Sequence, residues 1–193
     1  MNSSVKNKKK KPFPPQYFIA VVPGFPLRDE VTQIKQYMAL HFDSGHALRS
    51  PPHVTLHMPF RWREDRENLL FKALNCFSSG RQPFNLTLEN FGAFAPRVIY
   101  IHVRSSGELD QLQKSLVRMA RETLKLDNAV YKGRAFKPHI TVAFRDLRRP
   151  AFAMAWKEFA SRIFSGEFAV NAIILLKHNG KLWEICKEFD FEE

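Results

Sequence analysis

Apolar and polar positions follow two different periods along this chain, and together they predict a succession of strands and helices. Short apolar runs bounded by Pro or Gly are typical of buried strands, and apolar residues three or four positions apart are typical of amphipathic helices. Strands are predicted over residues 17–22, 53–58, 84–94, 98–103, 139–144, 168–176 and 182–189. Helices are predicted over residues 27–42, 64–77, 108–126 and 150–164. We expect the second strand to end at Pro59, and the last two strands to form a hairpin through His178, Asn179 and Gly180.

The order strand, helix, strand, helix, strand occurs twice. The first strand precedes a histidine by 36 residues in one half (Tyr17 to His53) and by 40 in the other (Ile99 to His139). This repeat predicts an α+β protein with two similar sheet-and-helix lobes, related by pseudo-twofold symmetry around a central cleft. We expect one bilobal domain over residues 16–193, with lobes of roughly 16–97 and 98–193 between which the terminal strands can be exchanged. A basic tail over residues 1–15, expected to be flexible, precedes it.

Composition supports a folded domain with an affinity for polyanions. Hydrophobic residues make up 45% of the chain and include 18 Phe, enough for a core, and 30 Lys and Arg against 19 Asp and Glu give a net charge of +11. The two cysteines, Cys76 and Cys186, lie far apart and are typical of buried thiols in a reducing compartment. No run approaches the roughly 20 apolar residues of a membrane span. We therefore expect a cytoplasmic monomer with no membrane contact and no obligate protein partner.

Two matching motifs carry the candidate chemistry. His53-Val54-Thr55-Leu56 is echoed 86 residues later by His139-Ile140-Thr141-Val142, and a proline precedes each motif. On a strand, alternate side chains share a face, so each motif would present its His and Thr to the cleft. An imidazole can act as base or acid near neutral pH, and threonine hydroxyls can bind phosphate oxygens. This set of groups suits phosphodiester cleavage and requires no metal or other cofactor.

These paired His-x-Thr-hydrophobic motifs resemble those of the two-histidine phosphoesterase superfamily, in particular its 2'-5' RNA ligase-like and RNA 2',3'-cyclic phosphodiesterase branch. The resemblance covers residues 17–189, and the segment 136–142, Phe-Lys-Pro-His-Ile-Thr-Val, is typical of it. It implies that His53 and His139 are catalytic and that Thr55 and Thr141 bind phosphate. It also implies metal-independent hydrolysis or transesterification of RNA-type phosphodiesters, with 2',3'-cyclic or 2'-5' linkages. The expected partner is an RNA end or a nucleotide.

Other residues near the motifs are candidates for substrate contacts. Arg134 and Lys132 lie in a basic loop before the second motif, and Arg145 follows it. Phe60 and Phe144 end the two motif strands, where either ring could stack a base.

The remaining histidines are interpreted as structural. His57 is expected on the same strand face as His53, but four residues span roughly 13 Å, too far to share a zinc ion. The others are interpreted as ordinary surface or interface residues: His41, His46, His102 and His178.

Two alternatives remain at this point. One is an RNA- or nucleotide-binding module on the same scaffold with little or no catalysis. The other is a metal hydrolase, although Asp146 is the acidic residue nearest to either motif strand. The repeat makes the two histidines nearly equivalent, so the sequence leaves their acid and base roles open, together with substrate length and the choice between hydrolysis and ligation.

Overall fold

A computed structural model describes residues 13–128 and 135–191, and in these ranges it contains eight strands and four α-helices. The strands are β1 Gln16–Val21, β2 Val54–Arg61, β3 Phe84–Phe94, β4 Val98–Val103, β5 His139–Ala143, β6 Ser165–Val170, β7 Ala172–His178 and β8 Trp183–Asp190. The helices are α1 Leu27–Phe42, α2 Glu67–Ser78, α3 Gly107–Leu124 and α4 Arg149–Phe159. Short 3₁₀ turns, His46–Arg49 and Glu64–Arg66, precede β2 and α2. None of the helices in the described ranges has the length and apolar character that a membrane span needs.

All eight strands form one curled antiparallel sheet in the order β6-β3-β4-β5-β2-β1-β7-β8. The two motif strands, β5 and β2, are neighbours at its centre. Four strands lie on each side of that central boundary, so β5 corresponds to β2, β4 to β1, and β3 to β7. The expected α+β architecture, with two related halves around a cleft, is confirmed.

A matching irregularity in the two motif strands supports the twofold relation. Each strand contains an extra residue at the equivalent place, Leu56 in β2 and Val142 in β5, relative to the strand that it pairs with. The pairs that flank the extra residue are Ile19–His57 and Ala20–Thr55 in one half, and Ile99–Ala143 and Tyr100–Thr141 in the other. Such a β-bulge reverses the in-and-out alternation of the side chains beyond it.

Each half of the sheet takes elements from both halves of the sequence. Strand β6 pairs with β3, and β7 pairs with β1. Helix α1 follows β1 along the chain but packs against β5 and α4, whereas α3 follows β4 and packs against β2 and α2. The expected lobe boundary at residues 97 and 98 falls in the turn between β3 and β4, which pair with each other.

The four helices cover one face of the sheet and bury a single large core there. In α3 the residues that enter this core recur at helical spacing: Leu109, Leu112, Leu116, Ala120 and Leu124. The Ser106 hydroxyl accepts a hydrogen bond from the Leu109 N–H at 3.2 Å and so caps the start of α3. Among the described residues, the opposite face carries a small apolar cluster, formed by Phe18, Ala20, Ala172, Ile174 and Leu176. This second face forms the cleft.

Three predicted boundaries were wrong. Strand β2 continues through Pro59 to Arg61, because Pro59 lies at a shift in register with β1, where no N–H is needed. Helix α4 ends at Phe159, since the chain must reach the start of β6 at Ser165. The strand predicted over 168–176 is two strands separated by Asn171, which pair with β3 and β1 respectively.

Candidate functional site

The register between β2 and β5 brings the two His-x-Thr motifs together. Val54 pairs with Ile140, and both side chains are fully buried in the core on the helix side. Continuing this antiparallel register by one residue in each direction sets His53 opposite Thr141 and Thr55 opposite His139. Residues directly opposite one another have Cα atoms about 4.5–5.5 Å apart. Because alternate residues point to opposite faces, the four polar side chains meet on the cleft face.

A backbone carbonyl two residues upstream orients each motif imidazole. His53 Nδ1 lies 2.7 Å from the Pro51 carbonyl oxygen, and His139 Nδ1 lies 2.6 Å from the Lys137 carbonyl oxygen. A carbonyl oxygen only accepts hydrogen bonds, so the Nδ1 atom must carry the proton in both rings. The Nε2 atom of each ring is then left to exchange a proton with a substrate.

The protein environment favours the neutral form of both rings. The pKa of His53 is lowered to about 4, chiefly by burial and also by the positive charge of Lys35, while the Pro51 carbonyl opposes the shift. Burial also lowers the pKa of His139, against the opposing effect of the Lys137 carbonyl. Both imidazoles therefore offer a free lone pair on Nε2 near pH 7. A bound phosphate anion would act in the other direction and stabilise a protonated ring.

Lys35 is a buried cation beside the first motif. It lies in α1 with 1% of its surface exposed, and its Nζ donates to the carbonyls of Ala47 at 3.2 Å and Ser50 at 3.1 Å. No carboxylate forms an ion pair with it within residues 13–128 and 135–191, and burial lowers its pKa to about 7. Sequence reasoning missed this residue, although a lysine between Val31 and Met38 on the buried face of a helix was a usable signal.

The two threonine hydroxyls are available for a ligand. Thr55 and Thr141 are half-buried, and neither hydroxyl makes a hydrogen bond to another residue in the described part of the chain. Their positions opposite His139 and His53 place one hydroxyl beside each imidazole. Such donors can bind the non-bridging oxygens of a phosphate that lies between the two rings.

Aromatic rings that the sequence did not single out lie against both histidines. The Phe18 ring centroid lies 4.7 Å from that of His53 and 4.7 Å from that of Trp183. On the other side, Tyr100 lies 5.0 Å and Phe94 lies 5.2 Å from His139. The two halves therefore have different cleft walls, although the histidines themselves are closely matched.

Two aromatic candidates have different surroundings from each other. Phe60 is 3% exposed and packs against Tyr17 and His57 in the core, with ring centroids at 6.1 and 5.2 Å, so its prediction as a base-stacking residue was wrong. Phe144 is half-buried just beyond β5, where its ring lies 5.0 Å from that of His46 and 5.4 Å from the Arg145 guanidinium. Arg145 is exposed and has a positive φ of 63°. A contact of Phe144 or Arg145 with substrate remains a prediction. The other two candidates, Lys132 and Arg134, lie outside the described residues.

The face of His57 was also predicted wrongly. Because Leu56 is an extra residue in β2, His57 pairs with Ile19 and is fully buried on the helix side, opposite to Thr55. His102, interpreted as an ordinary surface residue, is the register partner of His139 in β4, and its Nδ1 lies 3.9 Å from a Glu89 carboxylate oxygen. It lowers the pKa of His139 and thus belongs to the surroundings of the site.

The described part of the chain offers no candidate metal centre. Within residues 13–128 and 135–191 no group of three or more His, Cys, Asp or Glu side chains is arranged to hold a metal ion.

Comparison with known proteins places the chain in a family. Residues 23–182 match the family model of the 2'-5' RNA ligase superfamily. The chain belongs to this superfamily. The resemblance to two-histidine phosphoesterases seen in the sequence is thereby confirmed.

Bacterial relatives of this superfamily member bear the name phosphoesterase. A Bacillus licheniformis protein is 32% identical over 130 residues, which cover 66% of this chain and 70% of the relative. A Geobacillus kaustophilus protein is 25% identical over 181 residues, or 90% of this chain and 95% of the relative.

Solved structures of other bacterial proteins share the fold. TT0787 of Thermus thermophilus aligns with a TM-score of 0.65 at 22% identity, covering 91% of this chain and 97% of that one. Escherichia coli LigT in its apo form aligns with a TM-score of 0.62 at 22% identity, covering 94% of this chain and all of LigT. LigT has also been solved with 3'-AMP and with ATP.

Proposed function

We propose that this protein is a metal-independent phosphoesterase that hydrolyses or transesterifies RNA-type phosphodiesters with 2',3'-cyclic or 2'-5' linkages. The observation that carries the proposal is the Val54–Ile140 pair, which makes the two His-x-Thr motifs neighbours on one face of the sheet. The matched contacts of both Nδ1 atoms with carbonyl oxygens add to it, because they leave two Nε2 atoms for one substrate.

The asymmetry between the histidines suggests their roles. His53 is assigned the role of general base, because burial and the nearby Lys35 charge lower its pKa and so keep its ring neutral, with a free lone pair on Nε2. Its Nε2 takes the proton from the attacking water or hydroxyl as the new P–O bond forms. His139, protonated when the phosphodiester anion binds, gives its Nε2 proton to the leaving oxygen as the old P–O bond breaks. Exchange with solvent then resets both rings, and the hydroxyls of Thr55 and Thr141 hold the non-bridging oxygens throughout.

Support for a nucleotide substrate comes from the relatives and from the cleft. The LigT structures with 3'-AMP and ATP, at TM-scores of 0.59 and 0.58, contain nucleotides on a similar fold. In this chain aromatic rings lie beside both imidazoles, as a nucleoside would require. The net charge of +11 favours approach of a polyanion.

The test is hydrolysis of a panel that contains a 2',3'-cyclic mononucleotide, a 2'-5' dinucleotide and a 3'-5' dinucleotide, in buffer with a chelator. We expect wild-type turnover of one of the first two, and a loss of about 10²- to 10⁴-fold in kcat in both His53→Ala and His139→Ala. His41→Ala, which removes an exposed histidine at the end of α1, is the control and should keep wild-type activity.

Full activity in either motif variant would refute the proposed roles. Activity that disappears with the chelator and returns with added metal would refute metal independence. Tight nucleotide binding by the wild type with no turnover of any substrate would favour the binding-module alternative instead. Circular dichroism of each variant shows whether the fold is retained.

A further inference from the structure

The cleft wall beside His139 contains an exposed aromatic ring. Phe94, the last residue of β3, has 38% of its surface exposed, and its ring stands edge-on to His139 at 5.2 Å and 84°. Tyr100 lies 4.5 Å from Phe94 and 5.0 Å from His139. These two rings, here called the Phe94–Tyr100 wall, therefore adjoin the candidate reacting position directly.

The β3–β4 hairpin builds this wall. Gly92 in β3 pairs with Tyr100 in β4, and a Cβ atom at Gly92 would lie only 2.5 Å from the Tyr100 ring. The missing side chain thus allows the Tyr100 ring to lie across β3, where it supports Phe94. The turn that follows is closed by a hydrogen bond from the Arg97 N–H to the Phe94 carbonyl at 3.3 Å.

On the opposite wall, within the described residues, the ring that contacts His53 is buried rather than exposed. Phe18 is 3% exposed, because Trp183 stands edge-on against it at 4.7 Å and His178 lies 4.9 Å from Trp183. The Tyr100 hydroxyl, in contrast, makes no hydrogen bond to any residue in the described part of the chain. The His139 side therefore combines an open aromatic face with a free phenol donor.

We propose that the Phe94–Tyr100 wall is the nucleoside subsite of this protein. The base of the nucleotide stacks on the exposed face of Phe94, and the Tyr100 hydroxyl donates a hydrogen bond to a ribose or phosphate oxygen of the same nucleotide. The inference rests on the proposed function, because it assumes that the phosphorus lies between His53 and His139. Since every base has a π-face, recognition by stacking predicts only a weak preference among the four bases.

Direct binding to the full chain tests the subsite without relying on turnover. Isothermal titration calorimetry with the four nucleoside 3'-monophosphates and with inorganic phosphate compares ligands that share a phosphate and differ in the nucleoside. Phe94→Ala should weaken binding of each nucleotide by about 5- to 150-fold, the range observed for one base stacked on an aromatic ring, and leave binding of phosphate unchanged. Phe94→Trp should retain nucleotide binding, because it keeps a stacking surface.

Two further variants separate the contributions. Tyr100→Phe should weaken nucleotide binding by a few-fold, since only the hydroxyl is lost. Phe25→Ala removes a phenylalanine that is 71% exposed outside the cleft and should change no affinity. Equal weakening of nucleotide and phosphate in Phe94→Ala, or no weakening of either, would overturn the subsite. The subsite would also be overturned if the wild-type protein bound nucleotides no more tightly than inorganic phosphate.

The outcomes also distinguish failure of the subsite from failure of the proposed function. If the wild-type protein binds nucleotides through Phe94 but cleaves no phosphodiester, the proposed subsite stands and the proposed enzymatic function is refuted. If the wild-type protein cleaves a 2',3'-cyclic nucleotide and base-free ribose 2',3'-cyclic phosphate with equal KM, the enzymatic function stands and the proposed subsite is refuted.

Discussion

The buried ammonium group of Lys35 should add to the effect of burial in lowering the pKa of His53. With a pKa of about 4, only about one His53 ring in a thousand carries the second proton at pH 7, compared with about one in four at the ordinary value of 6.5. This difference corresponds to about 3 kcal/mol in favour of the neutral ring. Lys35, with a pKa of about 7, is charged over the whole range in which His53 titrates.

Lys35→Met is the variant that tests this coupling. Methionine keeps an unbranched side chain in α1 but removes the charge and both hydrogen bonds to the segment before His53. We expect the pKa of His53 to rise towards 6.5 without reaching it, because burial, the larger cause, remains. The acidic limb of kcat/KM, which reports the free enzyme, should move upward with it.

An NMR titration of the histidine ring protons measures this pKa directly, and the spectrum of His53→Gln assigns the resonance. Lys72→Met, which removes an exposed lysine from α2, is the control for loss of one positive charge and should leave His53 unchanged. A wild-type His53 that titrates near 6.5, or one that titrates at the same pH in Lys35→Met, would refute the reasoning.

Three other outcomes are expected. Below pH 6.5 the unfolded chain binds a proton at His53, whereas the folded chain does so only near pH 4. The free energy of unfolding should therefore fall by up to about 3 kcal/mol as the pH is lowered from 6.5 to 4. Urea titrations at several pH values measure this loss, which should be smaller in His53→Asn. Gly92→Ala should displace the Tyr100 ring and lower nucleotide affinity several-fold. Gly24→Ala is the control, since an added Cβ there meets nothing within 4 Å. Equal nucleotide affinities of the two variants in calorimetry would contradict this prediction. Phe60→Ala should destabilise the fold by about 3–5 kcal/mol, because truncating this buried ring leaves a cavity in the core. Thermal denaturation measures the loss, and unchanged stability together with a specific loss of nucleotide binding would contradict the prediction.

The sequence predicted the elements and the motif pair well because both depend on local spacing. The limits of α1, β3 and β4 follow directly from periodicity and from the breakers around them. The orientation of His57 could not be predicted, since it depends on a bulge that exists only relative to the paired strand β1. The division of one apolar run at Asn171 likewise reflects a change of pairing partner, which the hydrophobic pattern of a single segment does not record.

The candidate site was recovered only in part, for a similar reason. The sequence could propose His53, Thr55, His139 and Thr141 because their motifs repeat. Their neighbours in space were missed because they lie in unrelated parts of the sequence and share no spacing with the motifs: Phe18, Lys35, Phe94, Tyr100, His102 and Trp183. Phe60 was misassigned because residues at the end of a strand were expected to be exposed. The register shifts in β2 instead point its ring into the core.

The crossed packing of the helices has a mechanical consequence for the site. Helix α1, which belongs to the chain around the first motif, is seated under the strand of the second motif, and α3 is seated under the strand of the first. A change in the tilt of either motif strand would therefore also move a helix that packs against it and that is joined through the chain to the other half. We therefore expect the distance between the two imidazoles to change little when a substrate binds. Substrates should be selected by whether they fit this distance, and not by closure of the cleft around them.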